Sequence, residues 1–265
     1  KCNERLSVHV NEKFLDDKRK IENIYNNLGI FFKIIVDLKI QAFDELKKTS
    51  FLNFIERINY FSISSIEEIV EIQDLTDEEE KEIRIDQFLE RFPNNHYGWF
   101  QRGVIADRNA QFKRAEASWK KALTIFPQDA LASYNLARLY HDYFKNYDLA
   151  KSYYLESISI NEKYASAHYN YAVLLDTLSE SGDAIKHFEL ALELNPEHPY
   201  ANYNLGVLIQ KEDPIKAIKL YQRALEVQPE FAEAHVNLGV LIEKQLYAYD
   251  KARKHFTEAA RINPN

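Results

Sequence analysis

From Trp99 to the end of the chain, small, aromatic and proline residues return in phase about every 34 residues, a period that only a stack of like units produces. Trp99, Gly103, Ala115, Trp119, Ala122 and Pro127 set the frame. It recurs in Ala137, Ala150, Tyr154 and Ser157, and again in Ala172, Ala184, Phe188, Ala191 and Pro196. Two more turns of the pattern follow, in Gly206, Ala217, Tyr221, Ala224 and Pro229, then Gly239, Ala252, Phe256, Ala259 and Pro264. The spacing calls for two antiparallel helices per unit. Ala or Gly lets their backbones approach, the aromatic fills the space beside that contact, and Pro ends the second helix because it lacks an N–H and disfavours helical geometry before it. One such hairpin cannot bury its apolar stripe alone, so neighbours stack.

These residues match the tetratricopeptide repeat pattern at its positions 4, 8, 20, 24, 27 and 32, and the chain resembles that family over roughly two thirds of its length. The resemblance implies an all-α fold: a solenoid of helical hairpins wound into a right-handed superhelix, preceded by an N-terminal helical region. The units predicted are 96–129, 130–164, 165–198, 199–231 and 232–265. The second carries an extra residue between Tyr143 and Asp148, the fifth one before Ala252, and the fourth is one short around Lys211–Pro214. These variations are expected in turns, where insertions cost little.

The first 95 residues lack the frame but read as helical. Ile21, Ile24, Leu28, Phe31, Ile35, Leu38, Ala42 and Leu46 form one long amphipathic stripe, and a second helix is expected from Thr49 or Ser50. Ser65 with Glu68, and Thr76 with Glu79, read as capping boxes that open two more helices. The division expected is thus 1–61, a helical region; 62–95, a hairpin resembling a worn repeat; and 96–265, the five repeats. The stripe either folds back to cap the solenoid or pairs with another chain as a coiled coil or partner-binding helix.

The net charge of −7 lies almost wholly before residue 96, so neither part has the basic excess that a phosphate backbone needs, and nucleic acid is not an expected partner. Cys2, the one cysteine, allows no disulfide within the chain and no cysteine-based zinc site. No stretch of about 18 apolar residues occurs, so no spanning helix is expected. The chain starts with Lys and has no Met, which reads as a fragment or processed product; a cytoplasmic setting is favoured.

The first helix of each unit lines the concave face in this family. Its position 6 reads Gln101, Asn135, Asn170, Asn204 and Asn237; its position 5 reads Phe100, Tyr134, Tyr169, Tyr203 and Val236. An amide offers both a donor and an acceptor and can pair with any peptide group, while tyrosine adds flat apolar area with a polar tip. The rows resemble the asparagine ladder in the repeat arm of O-linked N-acetylglucosamine transferase. They read either as a site for an extended peptide, with Arg138 beside it, or as a solvated structural face. The pattern of heat-shock-chaperone clamps is not met, since only Asn135 is in place. His168 and His235 at position 4, and His187 and His255 at position 23, follow the repeat phase and read as packing or surface residues.

No nucleophile motif, phosphate loop or paired-histidine metal motif is present, so no catalysis and no cofactor are expected. The leading expectation is a non-catalytic scaffold or adaptor that binds a peptide segment or partner protein. The alternatives are an accessory arm of a larger enzyme such as a glycosyltransferase, or an assembly factor acting through the N-terminal helices. Self-association through the N-terminal helix or the last repeat is a further expectation.

Overall fold

The computed structural model describes residues 63–264; the long stripe, the helix expected from residue 49 and Cys2 lie outside them. Among the described residues there are twelve α-helices and one π-helical turn, and no strand. Helices α1 (Ile63–Asp74) and α2 (Glu78–Arg91) come first. Five hairpins follow: α3 (His96–Arg108) with α4 (Phe112–Ile125), α5 (Ala130–Leu139) with α6 (Tyr147–Ile160), and α7 (Ala165–Thr177) with α8 (Ser181–Leu194). The last two are α9 (Pro199–Ile209) with α10 (Pro214–Val227), and α11 (Ala232–Leu246) with α12 (Tyr249–Ile262). The chain divides within α5 into two compact units, Lys1–Ala132 and Ser133–Asn265.

The helix starts differ from the capping boxes read in the sequence. The cap of α2 is Asp77, whose carboxylate accepts from the backbone N–H of Glu79 and Glu80, one residue after the expected Thr76. A carboxylate at that place also meets the positive end of the helix dipole, which a threonine cannot do. Ser65 lies inside α1 rather than at its start.

The phased residues meet across each hairpin. Ala115, Ala122, Ala150, Ala184, Ala217 and Ala224 are wholly buried, as are the aromatics Tyr154, Phe188 and Tyr221. Glycine marks the tightest crossings: a Cβ on Gly206 would stand 2.7 Å from the Tyr221 ring, and one on Gly239 equally close to Phe256. Ala184 occupies the same kind of space in α8. Ala184→Leu is expected to cost about 1–3 kcal/mol by overpacking, and the loss should reach the neighbouring hairpins because each unit leans on the next. Urea denaturation with hydrogen exchange across 133–264 checks this; unchanged midpoint and protection would contradict it.

The extra residue of the second repeat is not held in the turn, as expected, but within the helix end. Tyr140–Phe144 form a π turn that continues α5, closed by Lys145 in the left-handed region and by Asn146 N–H donating to the Tyr140 carbonyl. The wider turn keeps Tyr140 buried and stacked on Tyr153, ring centroids 5.7 Å apart, an apolar contact that a looped-out residue would lose.

Candidate functional site

In the second compact unit the position-5 and position-6 residues belong to the first helices α5, α7, α9 and α11. Each tyrosine is fixed on two sides. Tyr134 packs against Tyr154 in α6 and Tyr164 before α7; Tyr169 against Phe188 and His198; Tyr203 against Tyr221 and Phe231. The residues at the end of each unit, Tyr164, His198 and Phe231, were not picked out in the sequence, although they keep the same period as the tyrosines they touch.

The hydroxyl then reaches the next repeat. Asn170 Nδ2 donates to Tyr134 Oη at 2.6 Å, and Asn237 Nδ2 to Tyr203 Oη at 3.3 Å; Asn204 acts on the Tyr169 hydroxyl with the sign of a donor, favouring its ionised form. Tyrosine and asparagine rows thus form rungs between consecutive repeats. Each rung uses one amide hydrogen, leaving the amide carbonyl and the tyrosine O–H with bonding capacity. Turning an amide over exchanges these roles but leaves the same number of open positions. Asn135 makes no side-chain hydrogen bond among the described residues, so both ends of its amide are open. All four asparagines are half-buried.

Burial raises the pKa of Tyr134, Tyr169 and Tyr203, so their hydroxyls stay protonated at any physiological pH. Arg138 and Asp142 act on Tyr134 with opposite signs, its cation favouring ionisation and the carboxylate opposing it. The tyrosine row stops at Val236, which is exposed, as are Tyr200 and Val207 on α9. The face is therefore amide-lined and flanked by apolar side chains.

In the first unit, Gln101 is buried against Tyr97 rather than open. Gln73 also donates to the Tyr97 hydroxyl, and burial pushes that hydroxyl up to about 12. Nearby, Asp129 accepts from the N–H groups of Leu131 and Ala132 at the start of α5, yet burial raises its carboxyl from the ordinary 3.8 to about 6. A carboxylate pKa above its unfolded value opposes folding at neutral pH, and the penalty disappears below about pH 4, where the group is protonated in both states. Asp129→Asn keeps a capping side chain and should raise stability at pH 7 by about 1–2 kcal/mol, with no gain near pH 3.5, in denaturation curves taken at both pH values.

Position 4 has a structural role beyond the packing or surface roles that the repeat phase implies. Trp99 Nε1, His168 Nε2, Asn202 Nδ2 and His235 Nε2 each bond the carbonyl six residues earlier, of Pro93, Glu162, Pro196 and Pro229. These carbonyls lie past the end of the preceding helix and have no helical partner, so any side chain with a well-placed N–H serves.

Among the described residues no group of three or more metal-ligating side chains gathers, and no helix is long and apolar enough to cross a membrane. A family profile described as tetratricopeptide repeat matches residues 130–164 and 165–198, and one described as TPR repeat matches 215–245. The fold is similar to that of pilF of Pseudomonas aeruginosa, 19% identical, with a TM-score of 0.67 over 76% of this chain and 91% of that one. It is also similar to YrrB, described as a TPR protein with an unusual peptide-binding site, at 21% identity and TM-score 0.58 over 68% and 93% of the two chains. MamA is 23% identical, with a TM-score of 0.54 over 61% and 94%. A 68-residue stretch is 35% identical to part of the human protein O-mannosyl-transferase TMTC3, covering 25% of this chain and 7% of that protein.

Proposed function

Because the chain belongs to the tetratricopeptide repeat family, we propose that it is a non-catalytic adaptor whose first helices hold an extended segment of a partner protein. A protein-interaction scaffold follows from the repeats themselves. The peptide site rests on one observation: each Tyr–Asn rung of α5, α7, α9 and α11 leaves an open donor beside an open acceptor. A peptide group presents that same pair, whatever its side chain. An extended chain advances about 3.3 Å per residue, so helices packed about 8–10 Å apart would meet it roughly every third residue. Exposed Val207, Val236 and Tyr200 would take apolar side chains alongside.

The test is a selection from a phage-displayed library of random peptides, followed by addition of a selected peptide to protein labelled with 15N. The side-chain amide signals of Asn135, Asn170, Asn204 and Asn237 should shift together. Shifts confined to other parts of the chain, or a library that yields no binder, would contradict the assignment.

The likeness to a stretch of a human O-mannosyl-transferase supports a second reading, in which the array is an accessory arm of a larger enzyme. The mass of the native protein, measured by mass spectrometry from its source, separates the two: a catalytic domain in the same polypeptide favours the arm.

A further inference from the structure

The third and fifth repeats each carry a histidine pair at the hairpin crossing, outside the Tyr–Asn rungs. His168 Nδ1 of α7 stands 3.0 Å from His187 Nδ1 of α8, and His235 Nδ1 of α11 stands 2.9 Å from His255 Nδ1 of α12. The protonation of each pair follows from its bonds. His168 Nε2 faces the Glu162 carbonyl and His235 Nε2 the Pro229 carbonyl; a carbonyl only accepts, so each of these nitrogens carries the hydrogen. Their Nδ1 atoms are then bare acceptors, and His187 and His255 supply the Nδ1–H between the rings.

The approach is head-on. In both pairs the ring centroids are 5.2 Å apart, which is the N···N distance plus the two ring radii. Two nitrogens bound about 2.05 Å from one tetrahedral metal ion would stand roughly 3.3 Å apart, farther than these. The geometry is that of a shared hydrogen.

We propose that these pairs are proton-gated clasps, each tolerating one added proton and opening on the second. The first proton enters at Nε2 of His187 or His255, where the imidazolium still donates its Nδ1–H and the bond gains charge assistance. The second has only the Nδ1 of His168 or His235 to enter, which would place two N–H groups nose to nose and two cations in contact. The fourth repeat has Asn202 and Leu220 at these positions and is not gated. Acid therefore loosens two of the hairpins that carry rungs, through Asn170 and Asn237, and leaves the one between them.

The surroundings fit this. Burial, and then the charge of the partner ring, holds His187 and His255 below the ordinary 6.5. The unfolded chain thus binds more protons below that pH, so the pairs support the fold above it and lose that support as pH falls through the folded values. Around the third pair, Asp183 favours and Lys186 opposes protonation of His187. Tyr171 of α7 lies edge-on to His187, and Lys151 of α6 bonds Glu180. Around the fifth, Arg261 and then His235 hold the Glu258 carboxyl below its ordinary value, and Arg261 also reaches Glu230 after α10.

The experiment is long-range 1H–15N NMR on the intact protein with hydrogen exchange at pH 7.5 and 5. At pH 7.5, His168 and His235 should carry Nε2–H and their partners Nδ1–H. Going to pH 5, after correction for intrinsic exchange, protection should fall about tenfold or more in 165–194 and 232–262 relative to 199–227, one unit of proton linkage being a factor of ten. His187→Gln with His255→Gln keeps a donor to each Nδ1 without a titratable group, and should remove the acid response. A reversed tautomer at His187 or His255, or an acid response unchanged in the double variant, would overturn the proposal.

Discussion

Trp119→Ala should cost about 3–5 kcal/mol, the largest loss expected from any single truncation in the first compact unit. Trp119 is 1% exposed and lies on Gly103, whose missing side chain is what makes room for the indole. Its Nε1–H donates to the Phe100 carbonyl at 3.2 Å, so truncation opens a cavity and removes a bond at once. Trp119→Phe keeps most of the apolar contact, and about 1–2 kcal/mol is expected from the lost bond and poorer fit. Circular dichroism during urea denaturation gives the measurement, since fluorescence loses one of its two tryptophans and keeps only Trp99. Hydrogen exchange should show 96–125 opening first. A Trp119→Ala cost below about 1 kcal/mol would mean that the Gly103 contact is incidental to the hairpin.

That contact was legible because it depends on residue size at fixed spacing. Gly103 with Trp119, Gly206 with Tyr221 and Gly239 with Phe256 are each one small and one large residue in phase, and periodicity reports such pairs directly. Bonds that depend on orientation were not legible. The position-5 tyrosines read as a peptide site or a solvated structural face, yet ring packing and the next repeat's amide hold each one. A Tyr followed by Asn looks the same in sequence whether the two face solvent or bridge to the adjoining repeats. The cap at Asp77 was missed for a related reason: Thr76–Glu79 fits a known template, and an Asp one residue later competes for the same N–H groups with a charge in its favour. The π turn at Tyr140–Phe144 could not be foreseen, because an extra residue shows only as a change in length. Whether it loops out or widens the helix depends on what Tyr140 would give up by leaving the core.

The rungs also change how the amide row has to be tested. Asn170→Ala with Asn204→Ala should weaken binding of a library-selected peptide by about 1–3 kcal/mol, at about 0.5–1.5 kcal/mol for each amide lost. The same substitutions break the rungs to Tyr134 and Tyr169, so loss of binding alone would not separate contact from support. Tyr134→Phe with Tyr169→Phe removes the rungs and leaves both amides in place. Each double variant should lose comparable stability, because each loses the same two internal bonds. Their binding should differ: the asparagine variant loses the groups offered to the peptide, while the phenylalanine variant frees its amides and loses only the tyrosine O–H. Calorimetric titration of one selected peptide into all three proteins gives the comparison. If both variants lose affinity equally, the rows act by bracing the helices; if neither does, the asparagines serve stacking alone and the peptide binds elsewhere on the chain.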